Sequence, residues 1–172
     1  MRAMYYQIIN QMKKGLGQID HCLTKATTYA QTRGFDVNVL MTSRLAPDQF
    51  ALVRQVQMAC DTAKMASARL TGKDAPKHED SEKTIDELKA RIASVVAWLD
   101  QLTPEDFVGA GERVVTQPRW EGKVMSGADY FVEHALPNFY FHMTTTYAIL
   151  RNNGVDVGKR NFLGALSQRS PA

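Results

Sequence analysis

The stretch that decides the fold runs from Gly127 to Gly154 and reads GADYFVEHALPNFYFHMTTTYAILRNNG. Largely apolar residues recur in it at steps of three and four, which is the period of a helix with one buried face. These residues are Ala128, Phe131, Ala135, Phe139, His142, Thr146 and Ile149. At 1.5 Å per residue the segment would span roughly 40 Å. A helix of this length with an aromatic face needs partner helices, so we predict the last core helix of an all-α domain.

Three earlier segments repeat this helical period. The predicted core helices lie near residues 4–33, 48–71, 82–102 and 127–153. Four long helices joined by extended connectors predict a four-helix bundle. A chain of 172 residues is long enough for one domain with its own core, so we expect residues 1–172 to form a single domain.

Particular residues support the helix assignments. Asp48 suits the start of the second helix, because a carboxylate there can accept from unpaired backbone N–H groups. We place Phe50 in the apolar stripe that follows it. In the first helix, Gly15 and Gly17 each cost about 1 kcal/mol relative to alanine. We interpret both glycines as points where another helix approaches closely.

The connector before the last helix contains two short β-prone pieces, residues 113–116 and 120–124. Together they predict a small two-stranded ribbon. An isolated hairpin is only marginally stable, so the ribbon has to pack on the bundle. Trp120 is the expected anchor, since a large aromatic side chain buries the most surface.

Composition and charge exclude several classes of function. The net charge is only +3 and the basic residues are scattered, so we expect no basic face for nucleic acid. No stretch approaches the roughly 18 consecutive apolar residues of a membrane span, and no signal-like segment follows Met1. We therefore expect a cytoplasmic protein with neither a nucleic-acid nor a membrane partner. Cys22 and Cys60 lie far from any CxxC spacing and are interpreted as small buried hydrophobic residues.

The last helix carries the candidate functional residues. Helical bundles bind metals and ligands through side chains that point inward from several helices. His142 falls inside the apolar stripe, and Asn138 falls at its border one turn earlier. His134 lies farther round, toward solvent, and Pro137 is expected to bend the helix between them. A buried histidine is more often a hydrogen-bonded core residue than a ligand, so His142 alone does not establish a site.

Several separated motifs resemble a known family. The stretch HMTTTYAILRNNG, residues 142–154, resembles the end of the last core helix in the DinB/YfiT-like superfamily of metalloenzymes. PNFYFH followed by TYAILRNNGV, with LAPDQF and RLTG earlier in the chain, resembles more specifically the DUF1993 family, a domain of unknown function. The resemblance covers essentially the whole chain and implies a DinB-like helical bundle.

The resemblance also implies a metal site, from which this sequence departs. The superfamily uses one histidine on the second helix and a HxxxH pair on the last. His142 holds the second position of that pair, Asn138 replaces the first, and the predicted second helix contains no histidine. Gln55 is the best corresponding residue there, with Asp61 nearby. Amide oxygens suit Ca²⁺ or Mg²⁺ better than Zn²⁺ or Ni²⁺, so we expect no cofactor, with a weakly bound divalent metal as the alternative.

An apolar strip on the outer side of the last helix suggests a partner. Leu136, Tyr140 and Tyr147 point away from the predicted core stripe, and Tyr5 could extend the strip. An exposed apolar face on such a protein usually marks an interaction surface. Two-fold pairing is the commonest way to cover one, so we predict a homodimer.

Three functions remain open from the sequence. The first is a small-molecule-binding bundle whose metal site is degenerate, with a candidate pocket formed by Gln55, Asp61, Asn138 and His142. The second is a metal-dependent enzyme similar to the thiol transferases and isomerases of the superfamily, with His142 as a ligand and Asp61 or Glu133 completing the site. The third is an interaction module without a ligand. Whether the protein catalyses a reaction stays open at this point.

Overall fold

The computed structural model describes residues 2–170 as an all-α bundle with one small ribbon. The helices are α1 (Arg2–Arg33), α2 (Leu52–Thr71), α3 (Ile85–Leu99), α4 (Gly127–Asp129), α5 (Leu136–Asn152) and α6 (Lys159–Leu163). A π-helical segment, Tyr130–Ala135, joins α4 to α5, so the three form one continuous last helix. Short 3-10 turns occupy Val37–Thr42, Pro104–Phe107, Ala110–Glu112 and Pro118–Trp120. The predicted fold class and all four long helices are confirmed.

The predicted start of the second helix is wrong by four residues. Helix α2 begins at Leu52 after Ala51, whose backbone is extended and whose side chain cannot cap the helix. The Leu52 N–H instead donates to the carbonyl oxygen of Ser43 at 2.9 Å. Asp48 therefore lies in the preceding loop, and Phe50 is 53% exposed rather than part of the core.

The start of α3 agrees with its sequence signature. The Thr84 hydroxyl accepts from the Glu87 N–H at 3.2 Å, and the Glu87 carboxylate accepts from the Thr84 N–H at 3.0 Å. This reciprocal pair is a capping box, which satisfies two backbone donors that the helix itself leaves unpaired. It fixes where α3 begins, after the long polar loop that follows α2.

Pro137 produces a π-helical segment in the last helix rather than a simple bend. It is the second residue of α5 and has no N–H to donate to the preceding turn. Just before it, the Leu136 N–H donates to the carbonyl of Phe131, five residues back. The wider π turn changes which residues share a face with α5. His134, within this segment, is half-buried instead of facing solvent.

The four long helices surround one apolar cluster. Helix α2 packs on α3 and on α5, and α1 packs against the other side of both. Gly15 of α1 lies directly against α5: a β-carbon there would be 2.9 Å from the ring of Phe139. The interpretation of Gly15 as a close approach is confirmed. For Gly17 it is wrong, since nothing lies within 4 Å of its β-carbon position.

The ribbon pairs β1 (Val114–Val115) antiparallel with β2 (Met125–Ser126). Trp120, between the strands, is half-buried and packs edge-on against Tyr130 at 6.1 Å between ring centroids. The predicted ribbon and its anchor Trp120 are confirmed, but the second predicted piece, residues 120–124, is wrong, because Trp120 ends the 3-10 turn Pro118–Trp120 and the strand begins only at Met125. Within residues 2–170, no helix has the length and apolar character needed to cross a membrane.

The outer strip of the last helix is partly covered by the chain itself. Leu136, Tyr140 and Tyr147 are half-buried and pack against the core. Phe162 of α6 contacts Tyr147 with 5.8 Å between ring centroids. The expectation that these residues form a wet outer face is therefore wrong: all three are half-buried, α6 covers Tyr147, and Tyr5 is 2% exposed and belongs to the core.

Candidate functional site

Gln55 of α2 and His142 of α5 contact each other inside the bundle. His142 Nδ1 lies 2.8 Å from Gln55 Oε1, and His142 is 4% exposed. Gln55 Nε2 donates to the carbonyl of Phe50 at 2.9 Å, so its Oε1 is the acceptor and His142 carries its proton on Nδ1. Burial, and then the charge of Arg54, lowers the pKa of His142 to about 4. The imidazole is therefore neutral at pH 7.

Asn138 and Asp61 face other partners. Asn138 Nδ2 donates to the hydroxyl of Thr62 at 2.7 Å, and that hydroxyl donates to the carbonyl of Met58 at 2.7 Å. Asp61 forms salt bridges with Arg91 at 2.6 Å and Lys64 at 2.9 Å. The structure brings Gln55 and His142 together, but it places Asn138 and Asp61 in separate hydrogen-bonded groups.

The donor set does not fit a transition metal. Both polar atoms of Gln55 are engaged within the protein, and the amide nitrogen of Asn138 is turned to Thr62. Glu133 is exposed on the π-helical segment. Across residues 2–170, no group of three or more His, Cys, Asp or Glu side chains is arranged to hold a metal ion. Zn²⁺ and Ni²⁺ prefer imidazole and thiolate ligands, and among Gln55, Asp61, Asn138 and His142 only His142 could supply one.

A buried ion-pair group, the Arg91 cluster, lies beside these residues. The Arg91 side chain is 1% exposed, and its guanidinium lies 2.6 Å from Asp61, 2.7 Å from Asp80 and 2.9 Å from Glu82. Lys64 pairs with Asp61, and Arg54 pairs with Asp80. The cluster therefore consists of Arg54, Asp61, Lys64, Asp80, Glu82 and Arg91. Its three cations match its three carboxylates.

His78 belongs next to this cluster rather than on the open surface. Lys64 Nζ lies 2.8 Å from His78 Nδ1, and His78 Nε2 lies 3.3 Å from Ser94 Oγ. Because an ammonium can only donate, His78 Nδ1 accepts and Nε2 carries the proton. The polar loop after α2 folds back over α2 and α3, which the sequence composition did not reveal.

On the other side of Asp61 lies a pocket of about 280 Å³, which we call the Arg69 pocket. It is bounded by α2, by the last helix and by the turn inside the ribbon. The lining residues are Met58, Asp61, Thr62, Met65, Arg69, Gln117, Pro118, Arg119, Tyr130, His134 and Asn138. Of the four residues predicted for the site, Asp61 and Asn138 line this pocket, whereas Gln55 and His142 do not.

An aromatic group holds one wall of the pocket. The rings of Tyr130 and His134 stack with centroids 5.5 Å apart and an interplanar angle of 18°. Trp120 meets both edge-on, at 6.1 Å and 5.7 Å. Arg69 Nη1 donates to the Tyr130 hydroxyl at 2.8 Å, and its guanidinium lies 5.4 Å from the centre of that ring. These contacts hold Arg69 in the lining of the pocket.

The pocket lining has more hydrogen-bond donors than acceptors. Arg119 Nη2 donates to His134 Nε2, so His134 is neutral and carries its proton on Nδ1. Burial, followed by the charges of Arg119 and Arg69, lowers the pKa of His134. His134 Nδ1 and Gln117 Nε2 are buried and have no hydrogen-bond partner within the described chain. Such orphaned donors are uncommon in native proteins and call for an explanation.

The net charge of the pocket depends on which charged side chains of its lining already form salt bridges. Neither Arg69 nor Arg119 forms a salt bridge with any carboxylate of residues 2–170. Asp61, the acidic residue of the lining, is held by Arg91 and Lys64. The two free guanidinium groups therefore give the pocket a positive potential.

The sequence analysis missed most of this pocket. Two helical repeats would have indicated it: Met58, Asp61, Met65 and Arg69 on α2, and Tyr130, His134 and Asn138 on the last helix. Gln117 and Arg119 have no such signal, because they come from an aperiodic turn that only the tertiary fold brings to the bundle.

Comparison with known proteins agrees with the resemblance drawn from the motifs. The sequence profile of DUF1993, a domain of unknown function, matches residues 4–163. The crystal structure of a DinB family member protein from Shewanella denitrificans superposes with a TM-score of 0.95 at 48% sequence identity, covering 99% of this chain and 97% of that chain. Among curated proteins, none matches significantly.

Proposed function

Since the chain belongs to the DUF1993 family, a domain of unknown function, we propose its role from the site: it binds a small molecule in the Arg69 pocket without a transition metal. The observation that carries this proposal is a cavity of about 280 Å³ whose lining contains two arginines, Arg69 and Arg119, that have no carboxylate partner within residues 2–170. Ligand pockets are mostly apolar concavities with a few convergent polar groups. The Arg69 pocket has this composition.

In this proposal, side chains of the pocket bind the ligand directly, and no metal ion takes part. The positions that correspond to the superfamily's metal ligands are occupied by Gln55, Asn138 and His142, of which only His142 offers an imidazole. Gln55 and His142 bind each other, which favours a structural role for both. The metal-dependent enzyme that would use His142 with Asp61 or Glu133 is the alternative that metal analysis tests.

A homodimer and a cytoplasmic location remain predictions. Phe50 and Phe141 are exposed large apolar residues that a second copy could cover, whereas Tyr140 and Tyr147 are already half-buried. Light scattering at tens of micromolar protein checks the dimer: a mass of one 19.3 kDa chain contradicts it.

Ligand-observed NMR with a library of neutral and charged fragments tests binding in the pocket. Met65→Trp places an indole in the cavity, and Met4→Trp, at an exposed position of α1, is the matched control. We expect fragments that bind the parent protein and Met4→Trp but not Met65→Trp. If no fragment binds, or if Met65→Trp binds as the parent does, the proposed function is wrong.

Metal analysis of protein purified without a histidine tag tests the proposal that the protein binds its ligand without a transition metal. We expect far less than one equivalent of Zn, Ni, Fe or Mn. The double variant Gln55→His with Asn138→His restores three imidazoles and is expected to acquire Zn²⁺ or Ni²⁺ and to melt at a higher temperature with added metal. Stoichiometric metal in the unmodified protein would overturn the metal-free proposal in favour of the enzyme alternative.

A further inference from the structure

We propose that the ligand of the Arg69 pocket is an organic oxyanion, whose carboxylate or phosphate group binds Arg69 and Arg119 while its apolar body lies against Met58 and Met65. This inference rests on the proposed function and adds the chemical class of the ligand. The family is a domain of unknown function, so it gives the lining of the pocket no role.

The charges of the lining select an anion. Arg69 and Arg119 come from different elements, α2 and the ribbon turn, yet both line one cavity and neither has a carboxylate partner within residues 2–170. Two like charges repel, and a charge of opposite sign placed between them offsets that repulsion. Asp61 does not serve this role, because Arg91 and Lys64 already neutralise it. An oxyanion would supply the missing negative charge.

The hydrogen-bonding groups also select an acceptor-rich ligand. Arg69 uses one N–H for the Tyr130 hydroxyl, and Arg119 uses one for His134 Nε2, so each guanidinium keeps further donors. Carboxylate and phosphate oxygens accept several hydrogen bonds at once, and guanidinium groups bind them in a bidentate manner.

The rest of the lining determines that the ligand has an apolar part. Met58 and Met65 lie two turns apart on the same side of α2, and both line the cavity together with Tyr130. Methionine side chains are flexible and polarisable, so they adapt to aliphatic and aromatic groups alike. An inorganic ion would leave this surface in water, whereas an aryl or alkyl acid would cover it.

Three probes of similar size separate charge from shape: benzoate, phenyl phosphate and neutral benzyl alcohol. We expect one or both anions to bind about tenfold or more tightly than the alcohol, measured by calorimetry in a non-coordinating buffer. Raising the salt concentration should weaken anion binding and leave binding of the alcohol unchanged. A preference for benzoate identifies the carboxylate, and a preference for phenyl phosphate identifies the phosphate.

Substitutions assign the effect to the two arginines. Arg69→Gln and Arg119→Gln should each weaken binding of the preferred anion about tenfold or more, and Arg69→Lys should restore part of it. Arg113→Gln is the matched control, since Arg113 is an exposed cation of the same connector that does not line the pocket. Benzyl alcohol should bind all four variants as it binds the parent, which shows that the pocket remains formed.

The outcomes distinguish this inference from the proposed function. If benzyl alcohol binds as tightly as both anions and Met65→Trp blocks all three, the pocket binds small molecules but the oxyanion inference is wrong. If the anions bind and neither arginine variant weakens them, the inference is also wrong. Failure of every probe up to about 10 mM would overturn it as well, because two free arginines should give at least millimolar affinity.

Discussion

The Arg91 cluster and the Arg69 pocket share one carboxylate, that of Asp61. They differ in whether their arginines are paired with carboxylates. Arg91 is buried and lies within 3 Å of Asp61, Asp80 and Glu82. Arg69 and Arg119 border the same aspartate from the other side, but they bind only the neutral partners Tyr130 and His134. The charges of the Arg91 cluster are all paired within it, although Arg91 Nε has no hydrogen-bond partner in the described chain, whereas Arg69 and Arg119 have no carboxylate partner there.

The difference separates structural arginines from arginines available to a ligand. Breaking a buried ion pair is costly because the remaining charge stays in a poorly solvated place. A cluster such as that of Arg91 therefore resists change and fixes how α2, α3 and the loop between them pack. Arginines at a pocket mouth keep contact with water, so they can exchange it for a ligand. The predictions below test this contrast.

Thiol reactivity should show the largest difference between the two regions. Cys60 is fully buried beside the Arg91 cluster, and burial, with smaller effects of the neighbouring charges, raises its pKa to about 12. A cysteine introduced by Met65→Cys would lie in the lining of the Arg69 pocket, where solvent reaches it and the nearby guanidinium groups favour the thiolate. We expect it to react with a maleimide about a thousandfold faster or more, because the thiolate is the nucleophile. Peptide mass spectrometry over time measures both rates, and comparable rates in the folded protein would show that the cluster region opens readily.

Removing the central cation should destabilise the protein strongly. Arg91→Met keeps much of the side-chain volume but leaves Asp61, Asp80 and Glu82 without their shared partner. We expect a loss of about 3–5 kcal/mol in the free energy of unfolding. Urea denaturation measures it. A loss below about 1 kcal/mol would mean that the cluster is solvated enough to do without Arg91.

Acid should weaken the fold in a window set by His142. Its pKa in the folded protein is about 4, against an ordinary value of 6.5. The unfolded chain therefore binds the proton first, and the contribution of His142 to stability is complete above pH 6.5 and lost as the pH falls to about 4. The loss is at most about 3 kcal/mol. Urea midpoints measured between pH 7 and 4 should fall less steeply for His142→Gln than for the parent; parallel curves would contradict the prediction.

Replacing Arg69, which has no carboxylate partner in the described chain, should have the smallest effect on the free energy of unfolding. Arg69→Met removes one hydrogen bond, to Tyr130, and a guanidinium contact with the same ring. We expect a loss of about 1 kcal/mol in the free energy of unfolding, far less than for Arg91→Met. The same urea titrations check it. A loss as large as that of Arg91→Met would erase the distinction between the two regions.

The sequence predicted the fold well because hydrophobic periodicity is a strong signal over long segments. It failed where local signals conflicted with tertiary contacts. Asp48 has the chemistry of a helix start, yet the Leu52 N–H finds its partner in Ser43 and the helix begins later. Pro137 predicts a break in the hydrogen bonding of the last helix. The sequence pattern does not show that this break takes the form of a π-helical segment before the proline.

The candidate site was predicted only in part for a related reason. Gln55 was chosen by its position in the second helix, and the structure places it against His142. Arg69, Gln117 and Arg119 have no counterpart among the metal ligands that the resemblance implies. Moreover, the partner of a long, flexible side chain depends on contacts distant in sequence. Which arginine is paired and which is free follows from the folded arrangement of carboxylates.

The ribbon turn that supplies Pro118 and Arg119 has a consequence for how such a protein can change its chemistry. Gln117, Pro118 and Arg119 of this turn add one wall to the pocket, whereas the next residue, Trp120, packs against the core. Replacing these three residues and keeping Trp120 would alter the shape and charge presented to a ligand and leave the helical packing intact. Loops on a rigid scaffold commonly diverge in this way. Changes in this turn, by evolution or by design, are therefore expected to change which ligand the pocket prefers while the helical bundle stays the same.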